Sequence, residues 1–266
     1  MKEVVLINGK QQSTLSVFNR LTQFGDGLFE TCVLQNSQLL LWSAHFARLE
    51  KGRAQLNINP VDEKTWLQDI NTALEVANTT NAIVKIILSR GESLRGYGFE
   101  QDIEPTRIVI VSKPPKLPDE YTLSVCRSGY ANNQHLANIK HCNRLEQILA
   151  RSELRGDECL MLDENQCVIS VTQGNIFAVQ DNMILTPNLD QCGIAGTRRF
   201  VVLKISRELG LQVKITTLTL KALLACDEVF ITNSVIGIKP VTGINKTVFK
   251  QHNITQKLID KFQEIE

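Results

Sequence analysis

The stretch KPPKLPDE, residues 113–120, decides how this chain is divided. It holds three prolines within five residues. Proline lacks a backbone N–H and fixes φ, so the stretch is neither a helix interior nor a central strand. We therefore predict a linker at 113–120, a smaller α/β domain over residues 1–112 and a larger domain over residues 121–266.

Before the linker, strand-like pieces alternate with helix-like ones. Ser43 is placed to cap one helix, and Pro60 to open a second. Trp66, Ile70, Ala73 and Ala77 then form an apolar stripe at helical spacing on the second helix. The predicted strands are rich in β-branched and aromatic residues: EVVLING, LFETCVLQ, AIVKIILS and RIVIVS.

After the linker, short strands again outnumber helices. The predicted helices cover 143–154, Thr197–Glu208, a short piece near Ala222, and 255–265. The predicted strands are YTLSVCRS, ECLMLD, CVISV, NIFAVQ, MILTP, QVKIT and EVFIT. A doubly wound parallel sheet would show a more regular alternation of strands and helices, so the predicted class is α+β with many antiparallel strands.

Composition excludes several classes of function. The 266 residues include 29 basic and 28 acidic side chains, a formal charge of +1, so no basic face for nucleic acid is predicted. Seven cysteines without a C-x-x-C pair indicate reduced thiols in a cytoplasm. The start MKEVVLINGK is too short and polar for a signal peptide, and no apolar run approaches the roughly 18 residues of a membrane span. We expect a cytoplasmic protein with no membrane partner.

Common cofactor and metal motifs are missing from the sequence. No G-x-G-x-x-G follows a strand, and no P-loop pattern occurs. The histidines stand at no metal-ligand spacing, so we expect polar or capping roles for them and no metal site. These are His45, His135, His141 and His252.

Two turns have the composition of a phosphate site. CGIAGTRRF places Gly193 and Gly196 just before a predicted helix, and N–H groups at a helix start bind anions. FITNSVIG ends a strand with Asn233 and Ser234, whose amide and hydroxyl suit the same anion. Ordinary turns are the alternative interpretation of both.

Lys140 stands in ANIKHCNRLEQ, at the end of an apparently buried strand. Loss of solvation at the edge of a core favours the neutral amine of a lysine, which can form a Schiff base with an aldehyde. Pyridoxal 5′-phosphate carries both an aldehyde and a phosphate. A solvated lysine that caps a turn remains the alternative.

Taken together, the motifs resemble those of the fold-type IV pyridoxal-phosphate enzymes, which include branched-chain and D-amino-acid aminotransferases and aminodeoxychorismate lyases. The resemblance covers nearly the whole chain. The motifs that carry it occur in one order: FNRLTQFGDGLFET (18–31), SAHFARL (43–49), SRGESLRGYG (89–98), IKHCNRLEQ (139–147), NIF (175–177), LDQCGIAGTRR (189–199) and DEVFITNSVIGIKPV (227–241).

This resemblance implies two α/β domains with pyridoxal 5′-phosphate in the cleft between them. It implies that Lys140 holds the cofactor covalently and that Thr31 is a small polar residue facing the cleft. Arg95 and Tyr97 belong to a loop that receives a substrate carboxylate. The phosphate is assigned to one arginine and two loops: Arg48, Gly196, Thr197, Arg198, Asn233 and Ser234.

One position departs from the family pattern. The family places a glutamate, which pairs with the pyridine nitrogen, five residues before the asparagine of N-[IL]-F. Here that asparagine is Asn175, and Ser170 stands five residues before it. A serine offers only a hydroxyl, so we expect a weaker electron sink with cofactor binding less affected.

Within the family, TQFGDG, RGY and KHCNRLEQ look most like a 4-amino-4-deoxychorismate lyase, which releases pyruvate and 4-aminobenzoate. An aminotransferase of the same fold is one alternative, although the D-amino-acid enzymes have R-x-H where this chain reads Arg95, Gly96, Tyr97. A cofactor-binding protein with little catalysis is another. The resemblance also implies a homodimer.

Overall fold

The computed structural model describes residues 3–264, which form two units. The N-terminal unit extends to Lys116 and also contains Ile139–Asn143. The C-terminal unit contains Leu117–Asn138 and the chain from Arg144 onward. The first division therefore falls inside the proline-rich stretch 113–120. The return of Ile139–Asn143 to the N-terminal unit has no counterpart in the sequence-based division.

The N-terminal unit contains an antiparallel sheet of six strands in the order β2-β1-β6-β5-β3-β4. All four strands predicted before the linker are present in it. The strands are β1 (Val4–Ile7), β2 (Lys10–Gln11), β3 (Gly27–Gln35), β4 (Gln38–Leu39), β5 (Ala82–Ser89) and β6 (Thr106–Ser112).

Its helices are α1 (Arg20–Phe24), α2 (Trp42–Gln55) and α3 (Glu63–Ala77). Helix α2 packs against β3, and α3 packs against β1 and β6. The predicted apolar stripe of α3 is confirmed at Trp66, Ile70 and Ala73, which are fully buried, whereas Ala77, the last residue of the helix, is only half-buried.

Both predicted helix starts in this unit are wrong by a few residues. Helix α2 follows Leu41, whose φ of 54° turns the chain sharply, so Ser43 already lies within the first turn. The chain stays extended after Pro60 as far as Asp62, whose ψ is 140°, and α3 begins only at Glu63.

The C-terminal unit is built on a nine-stranded mixed sheet in the order β12-β11-β10-β13-β14-β7-β8-β9, with β15 paired to β14. Three pairs are parallel (β11 with β12, β14 with β7, β7 with β8), and the others are antiparallel. The strands are β7 (Tyr121–Val125), β8 (Glu158–Leu162), β9 (Val168–Val171), β10 (Asn175–Gln180), β11 (Met183–Pro187), β12 (Val213–Thr216), β13 (Glu228–Asn233), β14 (Gly237–Ile244) and β15 (Thr247–Val248).

Strand β14 was not predicted, because Gly237, Pro240 and Gly243 give its sequence the composition of a loop. The strand is stabilised by its neighbours instead, since it pairs with β13 on one side and β7 on the other. The core beside it contains Phe177 and Phe230, whose rings stack with centroids 4.8 Å apart.

The helices of this unit are α4 (Leu145–Ser152), α5 (Thr197–Glu208), α6 (Leu220–Leu224) and α7 (Asn253–Gln263). Helices α5 and α7 pack on each other and both contact β13. The helix predicted over 255–265 begins two residues earlier, and Ile265 lies outside the described residues. No helix in the described part of the chain has the length and apolar character needed to cross a membrane.

Candidate active site

Lys140 lies on a short extended segment that pairs with β3. The Phe29 N–H donates to the Lys140 carbonyl at 2.9 Å, and the Cys142 N–H donates to the Gly27 carbonyl at 2.9 Å. Leu28 and His141 form the antiparallel bridge between these bonds. The backbone around Lys140 is therefore held by pairing with β3.

The side chain of Lys140 lies beside one face of this sheet. Its Nζ is 4.2 Å from the centroid of the Phe29 ring, and Nζ of Lys85 is 5.0 Å from the same centroid. Thr31 stands directly opposite Lys85 in the strand register and is half-buried. This face of β3 therefore has two amines beside the Phe29 ring, and Thr31 lies two positions further along the strand on the same face.

On the other face of β3, Glu30 is completely buried beneath α2. Arg48 Nε donates to Glu30 Oε1 at 2.7 Å, and Arg48 Nη2 donates to Glu30 Oε2 at 2.6 Å. His45 Nδ1 also lies 2.6 Å from Oε2. Burial by itself raises the pKa of Glu30, but the charge and hydrogen bonds of Arg48, then those of His45, lower it to about 2. The carboxylate is thus ionised and orients the Arg48 guanidinium.

The predicted substrate residues lie on the connection between β5 and β6. Both Arg95 and Tyr97 are exposed, and the Tyr97 ring is tilted against Phe24 with centroids 5.5 Å apart. Gly96 between them has φ of 88°, a conformation that favours glycine.

In the C-terminal unit, Asn175 holds the turn that precedes α5. Its Oδ1 accepts from the Gly196 N–H at 3.1 Å, and its Nδ2 donates to the Ile194 carbonyl at 2.9 Å. A Cβ atom on Gly196 would lie 2.1 Å from Asn175 Oδ1, so no other residue fits without a shift. Asn175 therefore supports the glycine turn.

The start of α5 lies next to the turn after β13. Thr197 Oγ1 is 3.4 Å from Ser234 Oγ, and Arg198 Nη2 is 3.5 Å from the Ser234 carbonyl. The side chain of Asn233 shapes that turn, because its Oδ1 accepts from the N–H groups of residues 235 and 236 at 2.8 Å each. Two hydroxyls beside a helix N-terminus make a donor set suited to a phosphate.

Ser170 is buried and takes part in a neutral pair with Tyr130. Its Oγ donates to the Val171 carbonyl at 2.8 Å and lies 2.9 Å from the Tyr130 hydroxyl, which is then the donor to Ser170. Burial raises the pKa of Tyr130, so the phenol stays protonated at neutral pH. Within residues 3–264, no carboxylate hydrogen-bonds Ser170.

Each unit thus contains its own group of predicted site residues. The N-terminal unit brings together Lys140 and Thr31 around Phe29, while Arg48 lies on the helix behind the same strand. The C-terminal unit brings together Asn175 with Gly196, and Thr197, Arg198 and Asn233 with Ser234.

The partners of Arg48 were not predicted from the sequence. Glu30 stood within the quoted motif LFET, and His45 precedes Arg48 by three positions, which places both on one face of a helix. The charged residue at a buried position of a strand was the available signal. Across the described chain, no three histidine, cysteine or acidic side chains are grouped so as to hold a metal ion.

Comparisons with known proteins agree with these observations. Residues 27–244 match the amino-transferase class IV family. The chain is 34% identical to an aminodeoxychorismate lyase of Vibrio harveyi, over 95% of this chain and 97% of that protein. It is 29% identical to a putative branched-chain-amino-acid aminotransferase of Methanocaldococcus jannaschii, over 98% of this chain and 96% of that protein. The crystal structure of 4-amino-4-deoxychorismate lyase from Pseudomonas aeruginosa superimposes with a TM-score of 0.92 at 34% identity, covering 98% of each chain.

The expected fold is confirmed by this superposition, and the family match spans both units. The chain therefore belongs to the class IV amino-transferase family.

Proposed function

We propose that this chain is a pyridoxal-phosphate-dependent lyase that converts 4-amino-4-deoxychorismate into 4-aminobenzoate and pyruvate. The observation that carries the proposal is the 34% identity to the Vibrio harveyi lyase over nearly the full length of both proteins. The tethering of Lys140 to β3 beside Phe29 supports it, because a lysine that forms an imine must be held in place.

Each unit carries residues that fit part of the cofactor. Asn175 fixes the turn at Gly196, and this would hold the backbone N–H groups at the start of α5 in position for a phosphate. Thr197 and Ser234 would add hydroxyl donors, and Arg48 would add a guanidinium already oriented by Glu30. Lys140 Nζ would bond to the aldehyde carbon. When bound, the cofactor supplies an electron sink for the substrate carbon that carries nitrogen.

Lys140 would also move the protons of the reaction. Its neutral Nζ would take the proton from the substrate carbon that carries the amine. The carbon–oxygen bond to the enolpyruvyl group then breaks, the ring becomes aromatic, and the protonated Nζ returns a proton to the leaving group, which is released as pyruvate. Thr31, on the same face of β3, would orient the substrate.

Arg95 and Tyr97 would receive a substrate carboxylate on the exposed loop. Ser170 would occupy the position beside the pyridine nitrogen as part of its neutral pair with Tyr130. A neutral partner weakens the electron sink. Because aromatisation of the product drives the lyase reaction, a weak sink is more tolerable there than in transamination.

The experiment is to incubate purified protein with pyridoxal phosphate and aminodeoxychorismate and to measure 4-aminobenzoate and pyruvate. We expect the wild type to form one pyruvate for each 4-aminobenzoate. The control Lys51→Ala, which replaces an exposed lysine on α2, should form both products at the wild-type rate. Lys140→Ala should form neither. Product formation by Lys140→Ala at the wild-type rate, or no product from the wild type, would refute the proposal.

An aminotransferase activity is the second candidate, favoured by the similarity to the Methanocaldococcus jannaschii protein. The absence of histidine two positions after Arg95 argues against a D-amino-acid substrate. Incubation with D-alanine or leucine and 2-oxoglutarate tests this candidate. Accumulation of the pyridoxamine form of the cofactor and of glutamate would favour transamination over the elimination of pyruvate.

We further propose that the protein is a cytoplasmic homodimer. Helix α4 exposes Leu145, Ile148 and Leu149, which are 71, 60 and 57% accessible and are suited to cover by a second copy. All seven cysteines are free, as suits a reducing compartment. Light scattering coupled to gel filtration should give twice the chain mass of 29.9 kDa. A monomer at micromolar concentration would contradict the dimer.

A further inference from the structure

We propose that Arg20 is a positioning residue, whose buried guanidinium holds the loop that carries Arg95 and Tyr97 in its binding conformation. We call residues 93–98 the clamped loop. The inference rests on the proposed function only for the claim that this loop meets the substrate. The contacts themselves are independent of it.

Arg20 is only 3% exposed although it begins a short helix next to the surface. Nη1 donates to Ser93 Oγ at 2.9 Å, the Gly96 carbonyl at 3.2 Å and the Gly98 carbonyl at 3.1 Å. Nη2 donates to the Tyr97 carbonyl at 3.0 Å. Three successive carbonyls of the clamped loop thus converge on one cation.

The other contacts of the clamped loop are at its first residue and on the Tyr97 ring. The Ser93 N–H donates to the Phe18 carbonyl at 3.1 Å, Gln23 Nε2 donates to the Ser93 carbonyl at 3.1 Å, and the Tyr97 ring is tilted against Phe24. Leu94 and Tyr97 are 82 and 85% exposed, so they contribute little burial of apolar surface. Gly96 and Gly98 have no atoms within 4 Å of the position of an added Cβ. The conformation around Arg95 and Tyr97 is therefore determined mainly by the hydrogen bonds to Arg20.

The guanidinium is itself fixed by Asp26. Arg20 Nε donates to Asp26 Oδ2 at 2.8 Å, and Arg90 Nε donates to the same oxygen at 2.7 Å. Burial raises the pKa of Asp26, but the hydrogen bonds and charges of Arg90 and Arg20 outweigh this and lower it. One ionised carboxylate thus holds two arginines.

Arg90 connects this group to helix α2. It donates to the carbonyls of Leu56 and Asn57 at 2.7 Å each, just after the helix that carries Arg48. Its guanidinium also lies 3.8 Å from the centroid of the Phe99 ring, at the end of the clamped loop. Asp26 therefore links the loop proposed for substrate to the helix proposed for phosphate.

The geometry requires arginine at position 20. A guanidinium presents five N–H donors in a planar fork, and the structure uses them on the loop and on Asp26. A lysine keeps the charge but has a single nitrogen, which cannot reach all of these acceptors. Loss of the fork should free the clamped loop while the sheet remains intact.

The first test is limited trypsin digestion of Arg20→Lys, with cut sites identified by mass spectrometry. Cleavage after Arg95 reports local opening of the clamped loop. We expect cleavage there to accelerate about tenfold or more in Arg20→Lys, and less in Ser93→Ala, which removes one of its contacts. The control Arg53→Lys alters an arginine of the same unit that contacts Glu50 and Ile58 instead, and should digest like the wild type.

The second test separates a positioning role from a general loss of structure. For Arg20→Lys we expect KM for aminodeoxychorismate to rise about tenfold, kcat to change less than about threefold, and cofactor affinity to stay the same. An unchanged rate of cleavage after Arg95 would overturn the proposal, as would a fall in kcat with KM unchanged. If the wild type shows no lyase activity, the proposed function fails, while the digestion still decides the role of Arg20.

Discussion

Replacing Glu30 by glutamine should destabilise the N-terminal unit more than a single substitution usually does. Glutamine has the size of glutamate but no charge, and its amide group adds N–H donors where Arg48 and His45 already donate. The Arg48 side chain, only 9% exposed, would lose its carboxylate partner.

The magnitude follows from the pKa of Glu30, which folding lowers from 4.5 to about 2. A shift of this size corresponds to about 3 kcal/mol of stability at neutral pH. Removing one partner of a buried ion pair typically costs about 3 to 5 kcal/mol, in agreement with this value. Because the folded pKa is the lower one, the stabilisation is complete above pH 4.5 and is lost as the pH falls toward 2.

The assay is urea unfolding followed by circular dichroism at pH 7 and at pH 3, for the wild type, Glu30→Gln and Glu50→Gln. Glu50 pairs with Arg53 on the same helix, but with 29 and 21% exposed side chains, so its substitution should cost less than about 1 kcal/mol. The difference between wild type and Glu30→Gln should shrink by about 2 kcal/mol on going to pH 3. A cost for Glu30→Gln no larger than that of the Glu50 control, or one that does not depend on pH, would refute the reasoning.

Three further outcomes are expected. Gly196→Ala should weaken pyridoxal phosphate binding about tenfold, measured by fluorescence titration, because the new Cβ would lie 2.1 Å from Asn175 Oδ1 and displace the turn. Glu228→Ala should lower the free energy of unfolding by about 2 kcal/mol in urea, because Glu228 accepts from the Thr255 N–H at 2.9 Å and from its hydroxyl at 2.8 Å at the start of α7. Ser170→Glu should change lyase turnover by less than about tenfold, and a rise of several orders of magnitude would show that the neutral pair limits the reaction.

Much of the fold could be predicted from local patterns. The strands before the linker show either an alternation of apolar and polar residues or a continuous apolar stretch. The buried residues Trp66, Ile70 and Ala73 have the spacing of a helix face, and α3 was predicted from them. Strand β14 could not be predicted in this way, because its glycines and proline are compensated by pairing with strands distant in sequence. Long-range pairing is the information that a local pattern lacks.

The same limit applies to the candidate site. Lys140 and the turn at Gly196 could be singled out because their chemistry is visible in single motifs. The roles of Arg20 and Glu30 could not, because each depends on partners brought together by folding: Arg20 contacts Gly98 from 78 positions away, and Glu30 contacts Arg48 from 18 positions away. The role of a buried charged residue can be assigned only when its ion-pair partner is known.

The five residues Ile139–Asn143 lie in the C-terminal half of the sequence but belong to the N-terminal unit, and this limits how such a protein can evolve. Ile139 is fully buried and lies next to α2, since a Cβ on Gly52 would be 3.5 Å from the Ile139 Cβ, in ordinary van der Waals contact. A gene fragment that stopped at Lys116 would encode the N-terminal sheet without this piece and would leave a hole in its core. Recombination at the linker would replace Lys140 together with the C-terminal half while leaving β3, the strand it pairs with, in place. Lys140, which we propose as the reactive amine, and the sheet that holds it must therefore be inherited together.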